Sequence, residues 1–188
     1  PEARAAARRF VERIGERPVV LLPLSGAEGS PSLEASREEV LDRIEAVGTA
    51  PGDAVAPLEV IARAAAELAS AGAPFSAVVV VAAGPVDASA PVRGELLPRI
   101  IASGASVHVV QVVAGADAGS GDDLLRVVAG QTRGQFTTIF SPVSFPAALD
   151  RLADRLAIEM MVQYLAPSGP RAGDVRVGVK KPGARVIG

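Results

Sequence analysis

The 188-residue chain has no cysteine and no tryptophan, and histidine and tyrosine occur once each. Without Cys there is no disulfide scaffold, no thiolate-ligated zinc or iron–sulfur centre and no thiol nucleophile. Aromatic residues make up 3% of the chain, which leaves little from which to build base-stacking platforms or an aromatic-lined sugar groove. Neither sign of charge dominates: 19 Lys+Arg against 21 Asp+Glu give a net charge of −2 and no drive toward nucleic acid or anionic lipid. Long apolar runs are also missing. Mean hydropathy is +0.33, yet Val19–Leu24, Ala77–Ala83 and Val107–Ala114 each fall far short of the ~20 residues a spanning helix needs. Pro1–Ile14 carries Arg4, Arg8, Arg9 and Arg13 without an apolar centre, so it does not read as a signal peptide.

What is present is a core of ordinary size, with 49% hydrophobic residues arranged in alternating patterns. Pro18–Leu24, Ser76–Ala83, Ser106–Val113 and Gln135–Ile139 are β-rich, and the first three are apolar on both faces, as buried parallel strands are. Helical spacing separates them: Val40, Leu41, Ile44 and Val47; then Leu58, Ile61, Ala62, Ala65, Leu68 and Ala69; then Leu96, Leu97, Ile100 and Ile101; then Leu124, Leu125 and Val128. Ser36 with Glu39 predicts a capping box, Gly104 a helix stop and Asp122 an N-cap. A last helix runs from Ser144 toward Tyr164. Strand–helix alternation predicts an α/β fold: a doubly wound, mostly parallel, Rossmann-like sheet with helices on both faces. Residues 1–166 form this domain. Residues 167–188 read as a C-terminal antiparallel extension, with Asp174–Lys180 and Arg185–Ile187 as strands around a turn at Lys181–Gly183.

Few residues offer chemistry. His108 sits between Val107 and Val109 with no acid in its run, which favours a core or sheet-end role over acid–base work. Gly115, Gly119 and Gly121 do not fit a phosphate-binding spacing, and Asp117, Asp122 and Asp123 would repel phosphate there. No Ser lies in a G-x-S-x-G elbow. Gly48–Asp53 places Thr49 and Asp53 in a Pro/Gly loop before a long helix, where they serve either as oxygen ligands for a hard cation or as turn and cap residues. Arg4, Arg8 and Glu12 read as a solvated helix face.

The order ARRFVERI, PVVLLPL, GTAPGDA, VVVVAAG, GASVHVVQV and LLRVVAGQTRGQF resembles a von Willebrand factor A domain across nearly all of Pro1–Ile139, most specifically in Gly104–Phe136. The endings MVQYLAPS and VRVGVKKPGARV resemble the bacterial group of VWFA-related proteins. The resemblance implies a metal-ion-dependent adhesion site built from D-x-S-x-S, a second-loop Thr and a third-loop Asp. Thr49 matches the Thr, Ala83 stands at the Asp position, and D-x-S-x-S occurs nowhere in the 188 residues. It also implies a central strand between Pro18–Leu24 and Ser76–Ala83, expected to precede Pro1, so those two segments are not expected to be hydrogen-bonded neighbours.

The function expected on this basis is protein binding rather than catalysis. The face involved is the set of loops at the C-terminal strand ends, with Ser25, Gly48, Thr49, Asp53, Gly84 and Asp87 as contact residues. The degenerate adhesion site implies no cofactor and a weak or lost metal dependence; the alternative is Mg²⁺ if a preceding segment supplies D-x-S-x-S. Two other readings stand beside it: a structural spacer of an envelope protein, whose tail strands pair with a neighbour, and a Rossmann-like enzyme drawing on Asp53, Asp87, Asp117 or Asp122. Resemblance to exported relatives implies an extracytoplasmic location, periplasmic or secreted.

Overall fold

The computed structural model describes residues 1–24, 33, 35–48, 57–73, 75–84, 93–113, 124–159 and 178–183. Three strands, β1 (Ala77–Ala82), β2 (Ser106–Val112) and β3 (Phe136–Ile139), form one parallel sheet in the order β1-β2-β3. Ala82 lies opposite Gln111, and Gln111 opposite Thr138. Among the described residues six helices accompany them: α1 (Glu2–Arg13), α2 (Arg37–Ala46), α3 (Pro57–Ser70), α4 (Arg93–Ala102), α5 (Leu124–Gln131) and α6 (Phe145–Ile158).

Strand alternation sorts the side chains into two apolar layers. Val110, Val112 and Ile139 face one way, onto Ala6, Phe10 and Val11 of α1, Val40 and Ile44 of α2, and the long stripe of α6 from Phe145 to Leu156. Val80, Val107 and Val109 face the other way, onto Leu58, Ile61 and Ala65 of α3, Ile100 of α4 and Leu124, Leu125 and Val128 of α5. The sheet is therefore covered on both sides, and the expected α/β class is what the chain adopts.

Local signals explain several boundaries. Ser36 accepts from the Glu39 amide at 3.2 Å while its own amide donates to Glu39 Oε2 at 2.6 Å, the expected capping box. That backbone bond holds the Glu39 carboxyl below the usual carboxylate range. Pro57 opens α3, where its missing N–H costs nothing. Gly104, with φ of 75°, stops α4 as expected. α6 starts directly on a 3₁₀ turn, Pro142–Ser144. Asp122, Met160 and Tyr164 lie outside the described residues.

Two expectations are corrected. Pro18–Leu24 is not a strand, although Val19 and Leu21 pack into the first apolar layer and Leu24 into the second. The segment keeps the period-two alternation of a strand without its ladder. Pro18 and Pro23 have no N–H to donate, and β1 is not hydrogen-bonded to it, so β1 is an edge among the described residues. Arg4 is not simply solvated: its Nη1 donates to the carbonyls of Glu45 at 2.9 Å and Val47 at 3.4 Å, supplying the end of α2 with a cationic donor where the helix leaves carbonyls unpaired. Arg8 does pair with Glu12, at 3.4 Å.

A second clamp joins α1 to α6. Arg9 meets Asp150 through two bonds of 2.9 and 2.7 Å, and Arg13 meets Asp154 at 2.8 Å, one turn further along both helices. Such exposed pairs contribute roughly 0–1 kcal/mol each, so they set register more than they set stability.

The turn after α5 holds the one described non-glycine residue with positive φ, Arg133 at 62°. Its side chain is exposed, and the left-handed region costs a residue with a Cβ roughly 1–2 kcal/mol. Arg133→Gly recovers that cost less the added freedom of the unfolded chain, roughly 0.4–1 kcal/mol. We expect a net gain of roughly 0.5–1 kcal/mol, read as a rise of a few degrees in Tm; a fall would mean that the Arg side chain contributes to the fold.

Contacts divide the chain into two units, Pro1–Ile158 and Glu159–Gly188. Within the second, Gly178–Lys180 are exposed and outside any ladder, and the expected turn at Lys181–Gly183 is present with Gly183 at φ 78°. The remainder of the expected tail strands lies outside the described residues.

Candidate functional site

Parallel strands end together, so β1, β2 and β3 deliver their following connections to one side of the sheet. Among the described residues this end is built from Ala82 at the end of β1 with Ala83 and Gly84 after it, Gln111 and Val112 at the end of β2 with Val113 after it, and Ile139 at the end of β3 with residues 140–143 after it. The Val113 amide donates to the Ile139 carbonyl at 3.0 Å, which ties the last two together.

Gln111 is the polar centre of this floor. It is 6% exposed, and its Nε2 donates to the Gly84 carbonyl at 3.2 Å. A carbonyl can only accept, so the amide orientation is settled and Oε1 points the other way. That Oε1 is buried with no hydrogen-bond partner. Ala83 is exposed, and at the position where the resemblance places a carboxylate it presents a methyl group. Among the described residues no group of three or more His, Asp or Glu side chains is arranged to hold a metal ion. Among the described strand-end residues, Ala83 carries no side-chain oxygen that could serve as a ligand. None of the described strand-end side chains titrates.

The expected contact residues divide accordingly. Gly84 is half-buried on the strand-end floor, and Gly48 is exposed just beyond α2. Ser25, Thr49, Asp53 and Asp87 lie outside the described residues, as do Asp117 and Asp122. The aromatic Phe140, 79% exposed, and Val143, 72% exposed, were missed by sequence reasoning, because an apolar residue after a short strand reads as core. The signal that could have found them is Ser141–Pro142, which breaks the apolar pattern between β3 and Phe145.

His108 and Ser106 lie near the opposite end of β2 and are within 3.2 Å of each other, a pairing that invites comparison with a base and its nucleophile. The hydrogen bonds argue otherwise. The Gln135 amide donates to His108 Nδ1 at 3.2 Å, which leaves the ring proton of the neutral imidazole on Nε2, facing Ser106. Ser106 Oγ in turn donates to the Ser76 carbonyl at 3.4 Å. A protonated Nε2 cannot take the hydroxyl proton, and the ring is 1% exposed. The pair ties three segments together.

A cleft of about 330 Å³ opens beside α1 and α2, lined by Val11, Val19 and Val40 with Arg17 and Arg37. Both guanidinium groups are already engaged, Arg37 with the Val11 carbonyl and Arg17 with that of Leu156 at 3.1 Å. They serve the packing of α1.

Comparison with solved structures places this architecture. The chain is similar to the von Willebrand factor type A structure from Catenulispora acidiphila, with a TM-score of 0.61 and 15% sequence identity over 83% of this chain. It spans 38% of the length of that structure. No protein-family profile matches the sequence, and no curated protein matches it. The likeness shows the fold: a von Willebrand factor A type of α/β domain. No helix among the described residues is long and apolar enough to cross a membrane.

Proposed function

From a von Willebrand factor A fold with this strand-end floor, we propose that the chain is a protein-binding module that recognises its partner at the C-terminal ends of its parallel strands without a metal ion. The observation that carries the reading is the chemistry of the floor. Among its described residues it offers a buried amide, carbonyls, a methyl group and exposed apolar side chains, which suit recognition, and no Asp, Glu or His, which acid–base catalysis would need. An extracytoplasmic setting is part of the same proposal and rests on the resemblance to exported relatives alone.

The test uses the exposed Ala83. Ala83→Arg adds a long charged side chain to the face without touching the core. We expect proteins captured by the immobilised chain to be retained equally with and without chelator and to be lost with Ala83→Arg, while the variant keeps the wild-type urea midpoint. Capture abolished by chelator would restore a metal-dependent adhesion site. Capture indifferent to Ala83→Arg would move the interface away from the strand ends.

A further inference from the structure

The cleft beside α1 and α2 is graded from apolar to cationic. Its floor is Val11 and Val40, 4% and 1% exposed, which belong to the first apolar layer, and the half-buried Val19 and Leu33 extend that surface. Charged side chains complete the lining: Arg37 is half-buried, and Arg17 and Glu16 are exposed at the mouth. At about 330 Å³ the cleft falls at the lower end of the roughly 300–1,000 Å³ of small-ligand sites.

The two arginines differ from their neighbours in what they meet. Arg8, Arg9 and Arg13 of α1 pair with the carboxylates of Glu12, Asp150 and Asp154. Arg17 and Arg37 meet only backbone carbonyls, those of Leu156 and Val11, each through Nη1, and neither has a carboxylate partner among the described residues. A guanidinium carries five N–H donors in a planar fork, so each keeps donors for a further acceptor while the carbonyl it holds already fixes its position. Forks of this kind match a carboxylate or a phosphate.

Two features decide between those groups. Two cations against one anion leave the lining singly positive, which a monoanion neutralises and a phosphate dianion overshoots. The apolar floor, in turn, suits a ligand with a hydrocarbon part, which inorganic phosphate lacks.

We propose that this cleft binds a short aliphatic carboxylate, with its hydrocarbon chain on Val11, Val19 and Val40 and its carboxylate held by Arg17 and Arg37. The acid is either a free molecule or the C-terminal residue of a peptide, since both present the same group. None of these side chains belongs to the strand-end floor, so the site stands or falls apart from the protein-binding reading.

Titration of the ¹⁵N-labelled chain with sodium hexanoate, followed by NMR, tests the site. The Nε–Hε signals of Arg17 and Arg37 and the Val19 amide signal are expected to shift together and saturate. Acetate, which has the charge without the chain, and hexanamide, which has the chain without the charge, should each bind at least tenfold more weakly than hexanoate. Hexanoate should bind Arg17→Gln more weakly by the same factor. Arg17 is exposed, so that variant should keep the wild-type urea midpoint, and the ligand comparisons on the wild-type chain stand without it. Inorganic phosphate binding as tightly as hexanoate would overturn the ligand class. The absence of a saturable shift at the two arginines, or equal binding of hexanoate and hexanamide, would overturn the site. A tetrapeptide ending in leucine separates the two sources: binding tighter than that of hexanoate and lost on amidation makes the ligand a chain end, and any weaker binding makes it a free acid.

Discussion

Gly134→Ala should be among the most damaging single-methyl changes in the chain. A Cβ built at Gly134 would lie 1.8 Å from the Val107 carbonyl oxygen and 2.4 Å from its carbon, so backbone must move. The backbone it would move is the clasp that holds the turn after α5 to β2. Thr132 Oγ1 accepts from the Val107 amide at 3.0 Å and donates to the Val128 carbonyl at 2.8 Å; the Gln135 amide donates to His108; and the Gln135 carbonyl accepts from the Val109 amide at 2.8 Å. Val107 and Val109 are fully buried, so bonds lost there are not replaced by water. Overpacking alone costs roughly 1–3 kcal/mol, and each orphaned buried group roughly 1–3 more, so the upper end of the first range is the least to expect. In urea this is a midpoint lowered by on the order of 1 M or more. Thr132→Val should damage the same clasp, and the two changes should be less than additive in a double-mutant cycle. A Gly134→Ala midpoint within a few tenths of molar of wild type would mean the turn does not sit on β2 as described.

Phe145→Ala is the second large effect. Phe145 is 0% exposed and is the first residue of α6, in the apolar layer that this helix shares with α1 and α2. Truncating a buried Phe costs roughly 3–5 kcal/mol, a large share of the roughly 5–15 kcal/mol that holds a domain of this size. Phe140 supplies the control within the same turn of chain. Phe140→Ala, at 79% exposure, should change the midpoint by no more than the roughly ±0.5 kcal/mol typical of surface sites. Chemical denaturation of the two variants side by side decides the matter. Equal effects would contradict the burial assigned to both.

These two phenylalanines also mark where sequence reasoning stops. β1 and β2 are legible because a parallel strand covered on both faces must be apolar at consecutive positions, and AVVVVA and SVHVVQV are. The helices are legible from their 3.6-residue stripes, and α2 from its Ser36–Glu39 box. Pro18–Leu24 has the same apolar composition but not the fate of a strand, because composition reports burial whereas a ladder also needs a strand alongside, and none of the described strands pairs with it. Phe140 and Phe145 are chemically identical and five positions apart; only the Ser141–Ser144 turn decides which one reaches the core. Gln111 was read as part of an apolar run, since nothing in a linear pattern reveals that its neighbour across space is the Gly84 carbonyl, 27 residues away. Thr49, the residue carried over most directly from the resemblance, lies outside the described residues.

The α1–α6 clamp bears on how this chain is made. Arg9 and Asp150 are 141 residues apart, as are Arg13 and Asp154, so α1 docks on a helix that is synthesised 141 residues after it. At roughly 5–20 residues per second, translation takes on the order of 7–28 s to supply that partner. Throughout that interval Ala6, Phe10 and Val11 have no α6 to cover them, so the arginines on the same helix act first as its solubilising face and only afterwards as the rungs that fix its register.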